Sequence, residues 1–223
     1  MILCESVSKV YPTKSGEVRS LDQFDLKIGK GEFLVVRGGS GSGKTTLLLA
    51  LGGMLRPSKG KVVFNERDLY AMSNTDRAAL RSHSIGFVFQ MFHLVPYLNT
   101  LENVLLANPG NANRGVRERG QRLIRELGIE HRITHRPSEL SAGERQRAAI
   151  GRALLNEPDV ILADEPTGNL DPGNAGEVFK HLSQFHQAGG TVVVVTHGTA
   201  ADEFADRIIK IENGRLASED RRQ

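Results

Sequence analysis

The 223-residue chain sets 29 Lys and Arg against 26 Asp and Glu, a formal net charge of +3. That balance is too mild to mark a nucleic-acid binder, and with no Trp and few aromatics there is little to stack single-stranded bases. An ordinary apolar share of 39% supports a sizeable core and argues against disorder.

Taken in order, the N-terminal "MILCESVSK" lacks the basic-then-apolar pattern of a signal peptide. No apolar run approaches the roughly 20 residues needed to span a bilayer. Cys4, the single cysteine, excludes an internal disulfide and points to a reducing compartment, so a cytoplasmic protein is expected. Cys4 itself reads as a buried strand residue. The first third reads as short strands, among them "GEFLVVRG", which ends in a glycine loop, and "GKVVFN", which follows the "RPSKG" turn. Between these two, the Leu-rich segment from Thr45 to Leu55 predicts a buried helix.

From about Met91 to Leu155 the texture becomes helical. "RGVRERGQRLIRELG" sets Leu123, Ile124 and Leu127 on one face, with Arg114, Arg117, Arg119, Arg122 and Arg125 around the rest as a solvated face. "DVILAD" and "TVVVVTH" are nearly all-apolar runs, as strands covered on both faces require. Val178, Leu182 and Phe185 keep helical spacing between them. "DRIIKIENGRLASE" predicts a hairpin around Asn213-Gly214. The strand–helix–strand order predicts an α/β fold with a largely parallel sheet, one domain over 1–223, with 91–155 as an inserted helical subdomain.

"GGSGSGKT", Gly38 to Thr45, fits the phosphate-loop pattern G-x-x-x-x-G-K-[ST] and lies between an apolar strand and a helix, as that pattern needs. Gly38, Gly39, Ser40, Gly41, Ser42 and Gly43 let backbone N–H groups curl around a polyphosphate, and the helix N-terminus, through Thr46, adds its dipole. Lys44 suits the β- and γ-phosphates and the Thr45 hydroxyl suits Mg²⁺. "VILADEPT" ends a buried strand in two carboxylates, delivered to the ligand crevice as parallel strands deliver their C-terminal ends. Asp164 suits the metal shell, directly or through water, and Glu165 suits a base for the attacking water. The plainer reading of that pair is a helix cap. His131 and His135 share an i,i+4 spacing, but no third ligand is evident and Pro137 ends the segment, so no zinc site is expected there.

With these two motifs, the chain resembles the ATP-binding-cassette ATPases over nearly its whole length. "LSAGERQR", Leu140 to Arg147, is similar to the family signature L-S-G-G-Q and lies shortly before "VILADEPT". "GNLD", Gly168 to Asp171, resembles the D-loop. His197 in "VVVVTHG" resembles the switch histidine, Gln90 in "GFVFQ" the Q-loop glutamine, and Tyr11 in "KVYP" the adenine-stacking aromatic.

The resemblance implies a phosphate-loop core with an N-terminal antiparallel β subdomain and an inserted α-helical signature subdomain. It implies ATP and Mg²⁺ as ligands, with His197 on the γ-phosphate and Gln90 on metal and water. It also implies a second copy of the chain as partner, each ATP lying between one phosphate loop and the other copy's Ser141 hydroxyl and Gly143 N–H. Asp171 is then either a dimer contact or simply a helix cap.

Ala142 departs from the usual glycine. Such a change costs about 1–2 kcal/mol if φ must be positive, and is favoured by up to about 1 kcal/mol if the position is helical. Because Ser141 and Gly143 are kept, the helical case is expected.

"GFVFQMFHLVPYLNTLENV" and "LSAGERQRAAIGRAL" resemble a subgroup of lipoprotein-releasing ATPases, macrolide or peptide exporters and a cell-division cassette. Gly198 stands where that subgroup commonly has aspartate, and Gly151 where it often has alanine. The expected function is an ATP-hydrolysing motor for separately encoded integral membrane permease subunits, held at the inner face of the membrane. The alternative is regulation of a cell-division or other non-transport membrane complex. Met91 to Val104 is either the docking segment for that partner or ordinary subdomain core.

Overall fold

The computed structural model describes residues 1–14, 16–108 and 114–221. Residues 109–113, within the helical stretch expected over 91–155, and 222–223, at the end of the expected domain, lie outside the described residues. In chain order the elements are β1 (Ile2–Thr13), β2 (Gly16–Ile28), β3 (Phe33–Arg37), α1 (Lys44–Leu51), β4 (Lys59–Phe64), β5 (Arg67–Asp68), α2 (Asn74–Ser84) and β6 (Ile85–Phe89). They continue as α3 (Thr100–Leu105), α4 (Arg114–Glu126), α5 (Ala142–Leu154), β7 (Val160–Asp164), α6 (Pro172–Gln187), β8 (Thr191–Thr196), β9 (Arg207–Glu212) and β10 (Arg215–Arg221).

Two sheets share the work. An antiparallel sheet of order β2-β1-β4-β5 packs beside a six-stranded sheet of order β10-β9-β3-β8-β7-β6. In the second, β3, β6, β7, β8 and β9 run parallel and only the β9–β10 hairpin is antiparallel. The parallel strands are covered on both faces, so their residues alternate between two cores. Leu34, Val36, Leu162, Val193 and Val195 face α1 and the antiparallel sheet. Phe33, Val35, Ile161, Val192 and Val194 face the layer that carries α4, α5 and α6. That double coverage is why these segments read as continuous apolar runs.

The first third departs from expectation. β1 and β2 are long strands of 12 and 13 residues rather than short ones. Register shifts near Cys4 and Val7 bend the pair, and Ser6 and Gln23 take left-handed φ of 47° and 48°. Bulges of this kind break the alternation that would mark one long strand. The helix expected over 45–55 stops at Leu51, where Gly52–Gly53 turns the chain. Helix α2 was not expected at all: it buries no residue, so no apolar stripe announces it, although its cap, Ser73 accepting from Asp76 N–H, is legible.

In the helical layer, Leu123, Ile124 and Leu127 are buried as the spacing requires. Arg114, Arg117, Arg122 and Arg125 are exposed, whereas Arg119 is half-buried and pairs with Glu157. The segment before α3 is irregular and is held by one side chain. Asn103, fully buried, accepts from Val95 N–H and donates to the carbonyls of Val95, Leu98 and Asn99. No helix among the described residues is long and apolar enough to cross a membrane.

Candidate active site

The loop between β3 and α1 wraps a cavity of about 140 Å³ lined by Ser20, Gly41 and the run from Ser42 to Thr46. Gly43 has φ 107°, and a Cβ there would lie 2.1 Å from Ser20 O, so no other residue fits. Helices α2, α3, α5 and α6 each begin on a side chain that accepts a backbone N–H. Helix α1 begins on Gly43 with no side-chain cap and no acidic residue in its first turn. Its first N–H groups and dipole are therefore left to an external anion, which is what a polyphosphate supplies. The Lys44 ammonium donates to the carbonyls of Gly38 and Gly39 at 2.8 and 3.0 Å and so holds the loop's curl.

The hairpin predicted at Asn213-Gly214 braces this loop from behind. Gly214 N–H donates to Ser42 O at 3.0 Å, and Gly214 O accepts from Asp22 N–H at 2.9 Å. Arg215 adds an ion pair to Asp22.

The end of β7 brings the two carboxylates to the loop. Thr45 Oγ1 donates to Asp164 Oδ1 at 3.2 Å. Burial pushes the Asp164 carboxyl above its ordinary range, and the neighbouring Glu165 charge adds to this against the pull of Thr45 and Lys44. The Asp164 carboxylate and the Thr45 hydroxyl together suit a hard cation that takes its other ligands from phosphate and water. Among the described residues no group of three His, Cys, Asp or Glu side chains is placed to hold a metal ion. A metal ion held by Thr45 and Asp164 would therefore have few protein ligands.

Glu165 sits just past β7 in a left-handed turn, φ 43°. Its carboxylate meets three groups. His197 Nδ1 lies 2.8 Å from Oε1, Thr196 Oγ1 donates to Oε2 at 2.9 Å, and Lys44 Nζ is 3.9 Å from Oε1. The structure thus brings Lys44, Thr45, Asp164, Glu165 and His197 together from three separate segments. Thr196 escaped the sequence reading, which had no reason to give a strand-end threonine a role.

The signature segment starts α5. Ser141 and Glu144 form a reciprocal cap: Ser141 Oγ accepts from Glu144 N–H at 3.2 Å and Ser141 N–H donates to Glu144 Oε2 at 2.8 Å. The exposed Ser141 hydroxyl keeps its proton to donate outward. Ala142 is the first residue of α5 and its φ is not positive, so the helical case holds.

Gly143 is buried because Asn174 of α6 covers it, and a Cβ there would lie 2.1 Å from Asn174 Oδ1. Arg147 donates to that same oxygen at 3.0 Å, and Asn174 Nδ2 donates to Asp171 Oδ2 at 2.6 Å. Asp171 caps α6, accepting from the N–H groups of Gly173 and Asn174. Glu144 would be raised by burial, but hydrogen bonds from the Ser141 backbone, Arg132 and the Ser141 hydroxyl bring it down to about 2. His131 Nε2 lies 3.3 Å from the same carboxylate, and His135 offers its carbonyl to Thr100.

The remaining expected residues lie around this centre. Gln90, at the end of β6, packs over Gly168, where a Cβ would lie 2.8 Å from its Nε2, and its carbonyl accepts from Asn169. Gln90 therefore borders the segment that follows Glu165. Tyr11 is exposed on the outer part of β1, with Lys9 Nζ 5.2 Å from its ring centroid, and it does not line the phosphate-loop cavity.

The segment 91–104 divides. Met91 and Tyr97 are 68% and 74% exposed, while Thr100, Leu101, Asn103 and Val104 are core. A groove of about 510 Å³ is lined by Met54, Phe87, Phe89, His93, Leu106 and Arg152 among others, with His93 its one residue from this segment. Arg152 of α5 donates to the carbonyls of Phe92 and His93, both at 2.6 Å, which holds these two left-handed residues (φ 59° and 47°). Of the two departures from the resembled subgroup, Gly151 is tightly packed, since a Cβ there would lie 3.1 Å from Leu127 and 3.3 Å from Val104. Gly198 is not crowded, its nearest atom standing 3.6 Å from a Cβ.

Comparison with known proteins agrees with this geometry. The family model described as "ABC transporter" matches residues 21–168. The macrolide export ATP-binding/permease protein MacB of Chlorobaculum tepidum is 40% identical over 224 residues, covering all of this chain and 34% of that protein. A dimeric post-hydrolysis state of the ATP-binding cassette MJ0796, bound to ADP and Pi, is 34% identical with a TM-score of 0.92, over 99% of this chain and 98% of that one. A second dimeric structure of MJ0796, described as a bacterial ABC transporter cassette, is 36% identical with a TM-score of 0.93, over 99% and 98%. The chain thus spans about a third of the curated relative and nearly all of the two solved cassettes.

Proposed function

Because the chain belongs to the ABC transporter family, we propose that it is an ATP-hydrolysing nucleotide-binding subunit that works as a head-to-tail pair and drives an integral membrane permease. The observation that carries this reading is that a phosphate-sized cavity at the uncapped α1 N-terminus is lined by Lys44 and Thr45, whose side chains meet Glu165 and Asp164, with His197 held on Glu165.

In the proposed cycle, the N–H groups of Gly41 to Thr46 take the β-phosphate, and the Lys44 ammonium turns from the Gly38 and Gly39 carbonyls to the phosphates. Thr45 and Asp164, with Gln90 from the other side, would hold Mg²⁺, which when bound neutralises phosphate charge. Glu165 accepts the proton of the attacking water as its oxygen bonds to the γ-phosphorus and the bond to ADP breaks. His197 holds the carboxylate and turns its exposed face to the γ-phosphate. Tyr11 stacks on the adenine. Ser141, through its free proton, and Gly143, through its N–H, complete the site of the second copy. The two similar dimeric cassettes support such a pairing. Closure on ATP and opening after hydrolysis follow from the γ-phosphate being the shared ligand.

The groove lined by Met54, Phe87, Phe89 and His93 is the proposed seat of the permease, largely apolar in its lining, with His93 held there by Arg152. Export is supported by likeness to a macrolide exporter of which this chain spans a third.

The decisive experiment is Glu165→Gln. It is expected to bind ATP, to run as a dimer with ATP on a sizing column, and to lose hydrolysis. Full ATPase activity would overturn the base, and a monomer at saturating ATP would overturn the pair. Isolating the ATP-trapped variant from native membranes and identifying what co-purifies tests the permease.

A further inference from the structure

Gln146 lies on α5 five residues beyond Ser141 and is completely buried. Ala149, Ile150 and Ala153, further along the same helix, are also buried, and packing alone would ask for an apolar side chain here. Instead, Gln146 Nε2 donates to Pro166 O at 2.7 Å, while its Oε1 has no hydrogen-bond partner. The amide orientation is fixed by chemistry, since a carbonyl only accepts. The buried amide therefore makes this single bond, to the residue directly after Glu165.

That turn is strained and over-determined. Glu165 is left-handed, a conformation that a residue with a Cβ holds only when its surroundings insist. Its N–H is tied to Val195 O at 2.9 Å and its carbonyl to Gly168 N–H at 3.0 Å. Gln146 fixes the next carbonyl. Together these bonds set the direction in which the Glu165 side chain leaves the backbone, toward Thr196, His197 and Lys44.

We infer that Gln146 is a positioning residue for hydrolysis: its amide, by pinning the Pro166 carbonyl, holds Glu165 in the strained turn from which its carboxylate reaches the attacking water. The inference rests on the reading of Glu165 as the base. The helix that offers Ser141 to the second copy's nucleotide thereby also carries the amide that aims its own copy's base.

The test compares wild type with Gln146→Met, which keeps the length and removes the donor, and Gln146→Glu, which keeps the shape and sets a carboxylate against the carbonyl. Single-turnover and steady-state ATP hydrolysis are measured alongside ATP affinity with a fluorescent nucleotide and thermal unfolding. Gln146→Met is expected to lower kcat about three- to tenfold, the range for one hydrogen bond, with KM for ATP within about twofold. Gln146→Glu is expected to lower it at least as much. In a Glu165→Gln background, Gln146→Met is expected to change the residual rate no further, because it acts only through that carboxylate. Wild-type kcat in Gln146→Met, a loss carried in KM, or the same fractional loss in both backgrounds would overturn the inference. Retained turnover in Glu165→Gln alone would instead overturn the base. Should Gln146→Met not fold, Gln146→Glu read in the same two backgrounds decides.

Discussion

Nδ1 of His197 lies 2.8 Å from Oε1 of Glu165, and the imidazole is 70% exposed while the carboxylate is 14% exposed. One edge of the ring thus holds a nearly buried carboxylate and the rest is open to solvent. Removing the ring frees Glu165 from one of its three polar neighbours without touching the phosphate loop. His197→Ala is expected to lower single-turnover hydrolysis about 10–100-fold, the range for a hydrogen bond to a charged group of about 1.5–3 kcal/mol. ATP affinity is expected to stay within a few-fold, as read by fluorescent-nucleotide titration.

Ala142 occupies the first turn of α5 with helical backbone, so its methyl group costs nothing in conformation. Ala142→Gly is expected to leave ATP turnover within a few-fold and to lower stability by up to about 1 kcal/mol. A turnover gain of tenfold or more in a standard phosphate-release assay would show that the alanine hinders closure of the pair.

Glu144 gives the signature helix a dependence on acid. Its carboxyl is held at about 2 against an ordinary value of 4.5. A carboxyl depressed by folding contributes stability above its unfolded value and gives it up as pH falls through the folded one. Urea midpoints are expected to drop between about pH 5 and pH 2 in the wild type, and less steeply in Glu144→Gln. At neutral pH that variant is expected to be less stable by about 1–3 kcal/mol.

Cys4 is 1% exposed, and burial, with the Asp25 charge adding to it, raises its thiol to about 12. Alkylation by iodoacetamide at pH 8 is expected to be negligible in the folded chain and prompt in urea, followed by mass spectrometry. Labelling of the native protein at the rate of a free thiol would show that β1 opens.

Much of the centre was legible because its chemistry is written in contiguous letters. The run Gly38–Thr45, the pair Asp164–Glu165 and the strands that deliver them follow from patterns of glycine, charge and uninterrupted apolar residues. His197 and Ser141 became legible only through family resemblance, since neither carries a local signal of its own. Thr196, Gln146, Asn174 and Arg152 were not legible. Each acts on a residue far away in sequence, and a buried polar side chain reveals its partner only once the chain has folded. The length of β1 and β2 was hidden by bulges, and α2 by its lack of a buried face.

The turn at Gly214 sets a condition on assembly. Its N–H completes the Ser42 carbonyl and its own carbonyl receives Asp22, so the phosphate loop is closed by residues from both extremes of the numbering. Contacts of such wide sequence separation carry the largest loop-closure cost and form late. A chain emerging from the ribosome would carry the complete "GGSGSGKT" motif long before β9 and β10 arrive to brace it. Nucleotide affinity is then expected to report on completed folding, because a chain without the hairpin holds the letters of the site without the brace behind them.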